Sequence, residues 1–69
     1  MNRVKVKING KDIELEKSSN VAEMLIEREV EGSMFVVEKN LQIVNKEDYI
    51  TTKIKENDSF EIVGFFGGG

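Results

Sequence analysis

Apolar and polar residues alternate from the start of the chain, with Val4, Val6 and Ile8 on one parity and Arg3, Lys5 and Lys7 on the other. That period of two predicts a half-buried strand over residues 2 to 8. Asn9-Gly10 follows, a pair suited to a type I′ turn because both central residues there need positive φ. Beyond it Ile13 and Leu15 alternate with Asp12, Glu14 and Glu16, which predicts a second strand over 11 to 16. A two-residue loop sets the register. Val6 then faces Ile13 and Val4 faces Leu15 on the core side, while Lys7 faces Asp12, Lys5 faces Glu14 and Arg3 faces Glu16 towards solvent. Each solvent-side pair is opposite in charge, and such cross-strand pairs contribute roughly 0.2–1 kcal/mol.

The period then changes. Asn20 and Glu23 have the spacing of a capping box, so a helix is predicted to begin near Val21. Val21, Met24 and Leu25 form its inward face, with Ala22 and Ile26 widening the apolar arc. Arg28 falls on the same arc and predicts an end near residue 28 or 29, before Gly32. Glu23, Glu27 and Glu31 recur every fourth residue and read as a solvated polar face, with an acidic patch for a basic partner as the alternative.

Met34 to Val37 reads as a third strand running toward Glu38, and Lys39-Asn40 as a turn into the short apolar piece Leu41 to Val44. Asn45 to Tyr49 is a polar connection with room for one loose helical turn, and Ile50 to Ile54 reads as a short edge strand. A turn at Glu56 to Ser59 feeds the last strand, Phe60 to Phe65. The predicted fold class is α+β, one mixed sheet of about four to five strands packed on one helix. The expected domain is 1–66, with 67–69 as a flexible C-terminal tail.

Composition narrows the chemistry. The 69 residues contain no Cys and no His, which removes disulfides, zinc sites of the usual kind and every nucleophile that depends on a Cys–His or Ser–His pair. Thirteen acidic residues against ten basic ones give a net charge of −3, the wrong sign for general nucleic-acid binding. A basic partner surface fits better. At 39% apolar and 33% charged the chain has the balance of a folded domain. Met1 to Lys5 lacks the apolar stretch of a signal peptide, so the expected compartment is cytoplasmic.

Three of the six glycines are the last three residues. Glycine adds chain entropy and gives nothing to a core, so Gly67, Gly68 and Gly69 are not folding sequence. A frayed end is one reading. The functional one is a side-chain-free leader that threads a narrow channel and presents an unhindered terminal carboxylate. On the last strand, Phe60, Ile62, Gly64 and Phe66 share one parity, and Val63 and Phe65 share the other. A sheet with one helix leaves its second face open, so Val63 and Phe65 are candidate docking residues beside the tail; Phe66, on the core parity, is the third candidate, with one aromatic covering the end of the core as the alternative.

The whole pattern resembles the ubiquitin-like sulfur carriers, β-grasp proteins with an exposed diglycine end, and within them the ThiS family of thiamine biosynthesis. The residues that carry the resemblance are Asn9-Gly10, Asn20-Val21 with Met24-Leu25-Ile26, Lys46 to Tyr49, Asn57-Asp58, Phe60 to Val63 and Gly68-Gly69. The related MoaD subunits of molybdopterin synthase share fold and tail, but often have a proline-rich step where this chain has Phe65-Phe66. The resemblance implies a protein co-substrate with no bound cofactor, a monomer when free. A ThiF-like adenylyltransferase would use ATP and Mg²⁺ to turn the Gly69 carboxylate into an acyl-adenylate. A persulfide from a cysteine desulfurase would convert it to a thiocarboxylate, and a ThiG-like thiazole synthase would take the sulfur. The competing reading is a β-grasp binding module whose glycines are incidental.

Overall fold

The structure is a computed structural model that describes residues 3–32 and 34–64. Strands β1 (Val4–Ile8) and β2 (Lys11–Leu15) form an antiparallel hairpin in the predicted register, Val6 opposite Ile13 and Val4 opposite Leu15. Asn9 at φ 53° and Gly10 at φ 82° make the turn. On the solvent side Lys7 Nζ lies 2.9 Å from Asp12 Oδ1, and Arg3 Nε lies 3.2 Å from Glu16 Oε1.

Helix α1 (Val21–Glu27) has seven residues, too few to be stable alone, so its tertiary contacts decide its existence. Val21, Met24 and Leu25 are buried as the periodicity predicts. Ile26 is not: it stands 77% exposed, and the apolar arc is narrower than expected. Asn20 Oδ1 accepts from the Glu23 amide at 2.9 Å. The return bond of the capping box goes one residue further back than its usual form, with Glu23 Oε1 accepting from the Ser19 amide and hydroxyl, both at 2.8 Å. At the other end the Val30 amide donates to Leu25 O (2.9 Å) and the Glu29 amide to Ile26 O (3.0 Å). This is a Schellman closure with Glu29, at φ 58°, in the position glycine usually holds.

Strands β3 (Phe35–Lys39), β4 (Gln42–Val44) and β5 (Ser59–Gly64) complete a five-stranded sheet in the order β2-β1-β5-β3-β4. β5 lies at the centre, parallel to β1 and antiparallel to β3. Two expectations are corrected. The β3–β4 turn is Asn40-Leu41 rather than Lys39-Asn40, since Lys39 pairs with Gln42. Residues 50–54 are not an edge strand and make one isolated bridge, Asn20 to Lys53. Their backbone serves the helix start instead: the Val21 amide donates to Thr52 O at 3.0 Å and the Ala22 amide to Tyr49 O at 3.1 Å. Those are helix N-terminal amides with no partner inside the helix, which outweighed strand propensity. The expected helical turn is the 3₁₀ turn Lys46–Asp48.

Val6, Leu15, Val21, Met24, Leu25, Val37, Phe60 and Ile62 form the core between helix and sheet. One helix packed on a mixed five-stranded sheet is the β-grasp arrangement that the resemblance implies. Among the described residues no helix is long and apolar enough to cross a membrane.

Candidate functional site

The site is the end of β5, from which the chain runs on to its glycines. The alternation of β5 is as predicted: Phe60 and Ile62 are buried, and Val63 points away from the helix at 60% exposure. Val36 lies directly opposite Val63 on β3 and is also exposed. Two pairs further along, Glu38 faces both Glu61 on β5 and Ile43 on β4, and Ile43 is exposed as well. The open face of the sheet therefore carries an apolar patch of Val36, Ile43 and Val63 with two glutamates beside it. Like charges directly opposite on a sheet oppose folding, so Glu38 and Glu61 are not there for stability. Reasoning from the chain found Val63 but missed Val36 and Ile43. The available signal was strand pairing, because only the β3–β5 register brings the two valines together.

Phe35 opposes Gly64 at the last pair of the sheet, and its ring stacks on Tyr49 with centroids 6.3 Å apart and planes 11° from parallel. Partial burial pushes the Tyr49 hydroxyl up from its ordinary value. The core is thus closed by aromatic rings at the end where the chain leaves. The docking assignments at Phe65 and Phe66, and the tail Gly67, Gly68 and Gly69, lie outside the described residues.

The two flanks of β5 are held differently. Backbone pairing with β3 continues to Gly64, whereas pairing with β1 ends at Ile8 and Phe60 because β1 turns away at Asn9. There the Asn9 side chain takes over. Its Oδ1 accepts from the Ile62 amide at 2.8 Å and its Nδ2 donates to Ile62 O at 3.2 Å, so one amide group supplies the two bonds that a continuing strand would have made. At the opposite end of β5 Asn40 acts in a similar way, its Oδ1 accepting from the Ser59 amide at 2.9 Å and its backbone amide donating to Ser59 O at 2.7 Å. Asn40 also donates to buried Asp58, which accepts from the Lys55 amide at 2.8 Å.

The expected solvated glutamate face is corrected at Glu27. Its carboxylate accepts from the Glu16 amide (2.6 Å), the Ser18 hydroxyl (2.6 Å) and the Lys17 amide (3.2 Å), fastening the β2–α1 connection to the helix. The Glu16 amide, then the Ser18 hydroxyl, hold its carboxyl below the ordinary range. Glu23 is lowered as well, by the Ser19 amide and hydroxyl. Both carboxylates fasten the connection to the helix start.

A small β-grasp domain whose central strand leads into a glycine run defines a class, the ubiquitin-like carrier proteins. The ThiS family model matches residues 6–69, and the chain belongs to that family of sulfur carrier proteins. It is 34% identical over 65 residues to the sulfur carrier protein ThiS of Bacillus subtilis (strain 168), covering 93% of this chain and 98% of that one. It is 38% identical over 66 residues to a thiazole synthase of Paramagnetospirillum magneticum, covering 96% of this chain and 20% of that longer protein. The crystal structure of the thiamine biosynthesis protein ThiS from Geobacter metallireducens superposes with a TM-score of 0.80 at 29% identity, covering 96% of this chain and all of that one.

Proposed function

We propose that the chain carries sulfur as a thiocarboxylate on Gly69 and gives it up to a thiazole synthase during formation of the thiamine thiazole. The observation that carries this reading is that the family match runs through the glycine run to residue 69. A carboxylate resists nucleophiles until one oxygen becomes a leaving group, so a ThiF-like adenylyltransferase first joins it to AMP, with ATP and Mg²⁺ as the partner's own reagents. A persulfide supplied by a cysteine desulfurase attacks the acyl carbon and releases AMP. A thiol then attacks the outer sulfur of the resulting acyl disulfide, forms a disulfide with it and leaves the thiocarboxylate on the chain.

In this reading Gly67 and Gly68 supply backbone and Gly69 the reacting carbon. Five residues follow Gly64, a reach of at most about 18 Å when extended. Val63, with Phe65 and Phe66 beyond it and Val36 and Ile43 beside it, forms the docking surface. Its glutamates favour a partner patch that is apolar with a basic rim. The thiazole synthase relative supports the recipient, because a stretch similar to this whole chain forms a fifth of that protein. Joining carrier to synthase raises their effective concentration.

The test is incubation with a ThiF-like adenylyltransferase, ATP, Mg²⁺ and a persulfide donor, followed by intact-mass measurement. Exchange of one oxygen for one sulfur at Gly69 is expected, and its loss when one residue is added after Gly69. A natural chain that gains no mass with any such set of partners returns the protein to the class of binding modules.

A further inference from the structure

Asn9-Gly10 is the one Asn-Gly step in the sequence; Asn2, Asn20, Asn40, Asn45 and Asn57 each precede a residue with a side chain. Asparagine is among the chemically labile residues, and most so before glycine, whose amide nitrogen has no β-carbon beside it to hinder attack. The Gly10 nitrogen, having given its proton to solvent, attacks Cγ of Asn9. A C–N bond forms, the Cγ–Nδ2 bond breaks, and ammonia leaves with a proton from solvent. Water then opens the resulting succinimide at either carbonyl, to aspartate or isoaspartate, and no oxidant or reductant is needed.

The fold restrains this step. Both polar atoms of the Asn9 carboxamide are engaged, Oδ1 accepting from the Ile62 amide at 2.8 Å and Nδ2 donating to Ile62 O at 3.2 Å. Ring closure turns the same group back onto its own main chain and makes its planar carbon tetrahedral, so neither bond survives it. We infer that Asn9 is a site of spontaneous deamidation gated by this clamp: it reacts only while its side chain is released from Ile62, and the product no longer closes the clamp. An aspartate has no N–H for Ile62 O and sets a negative oxygen against it. An isoaspartate also lengthens the main chain of the turn that sets Val6 opposite Ile13. Backbone pairing of β1 with β5 ends at Ile8 and Phe60, so the lost bonds have no substitute from β1 and the loosening of that flank is one-way.

The experiment holds the natural chain in mildly alkaline buffer, folded and in unfolding urea. Deamidation is read as the mass gained when NH₂ is replaced by OH, located by peptide mapping, and hydrogen exchange of the Ile62 amide is measured in the same buffer. In urea Asn9 should react faster than every other asparagine. In the folded chain it should be slowed about ten- to a hundredfold, the range that two hydrogen bonds of ordinary net strength give. That slowing should match the exchange protection of Ile62 within about threefold, because one opening event permits both reactions. Equal rates in the two states, or another asparagine reacting first in urea, would overturn the inference. So would a slowing far larger than the Ile62 protection, which makes the turn itself the barrier, or one far smaller, which means that the reaction runs with the clamp closed. The deamidated chain, separated by ion exchange, and Asn9→Asp should each exchange Ile62 about tenfold faster than the natural chain. Protection equal to that of the natural chain in both would overturn the one-way loss of the clamp.

Discussion

The two hairpins share a turn geometry and differ in what surrounds it. Both close with two residues at positive φ, Asn9-Gly10 in the first and Asn40-Leu41 in the second. In the first, glycine takes the second turn position, and cross-strand charges are opposite with two ion pairs formed. In the second hairpin a leucine stands at φ 74° with its side chain 89% exposed, an isoleucine faces solvent, and Glu38 opposes Glu61 of the neighbouring strand. Every local choice in the first agrees with folding. Several in the second oppose it, and the β3–β4 side is the side that carries the apolar patch next to the tail. A fold tends to concede stability where it has something else to do.

The sharpest way to break this contrast is to truncate one apolar residue on each side. Leu15 is fully buried in β2, and Leu15→Ala should cost about 2–5 kcal/mol in urea unfolding, enough to threaten so small a domain. Val36→Ala on the open face should stay within about 0.5 kcal/mol of the natural chain. Comparable midpoints for the two would mean that the open face is core after all.

Glu27 gives a second test, on the link from the first hairpin to the helix. Three donors converge on its carboxylate, so Glu27→Ala should cost about 1–2 kcal/mol after allowance for solvent screening. Its folded pKa lies below the ordinary value of 4.5. A lowered pKa stabilises the fold above the unfolded-state value, and that contribution is lost as pH falls through the folded one. Urea midpoints should therefore drop below about pH 4.5, and Glu27→Gln should drop less. A variant whose acid sensitivity equals that of the natural chain would remove Glu27 from this role.

The first hairpin, the helix start, its buried face and the alternation of β5 were legible in the chain because period, cap and turn chemistry pointed the same way there. The β3–β4 turn was misplaced by one residue because Leu41 is the wrong residue type for the conformation it adopts. Residues 50–54 misled because their backbone answers the helix amides, a tertiary demand that no local pattern announces. Glu27 looked like one tooth of a solvated row, and its partners lie ten or so positions back along the chain, across the β2–α1 connection. Of the candidate site, Val63 was readable from parity alone, while Val36, Ile43 and the Asn9 clamp needed the strand order.

The open face itself is tested by binding. Val63→Ala should weaken association with the adenylyltransferase by about 1–2 kcal/mol, as an interface contact of this size does, with an unchanged unfolding curve. Titration by calorimetry decides it, and equal affinities would move docking off this part of the sheet.

The smallest expected effect concerns Leu41, and it separates strain from recognition. A β-carbon in the left-handed region costs roughly 1–2 kcal/mol, and asparagine recovers part of that by local hydrogen bonding without the entropy that glycine adds to the unfolded chain. Leu41 is almost fully exposed and gives nothing to the core in return. Leu41→Asn should therefore raise stability by about 0.5–1 kcal/mol, read as a higher urea midpoint with an unchanged slope. If the midpoint falls instead, Leu41 contributes to the fold through contacts that its exposure hides, and the second hairpin would serve stability no less than the first. A rise in stability accompanied by weaker partner binding would place the leucine on a surface the protein keeps for others.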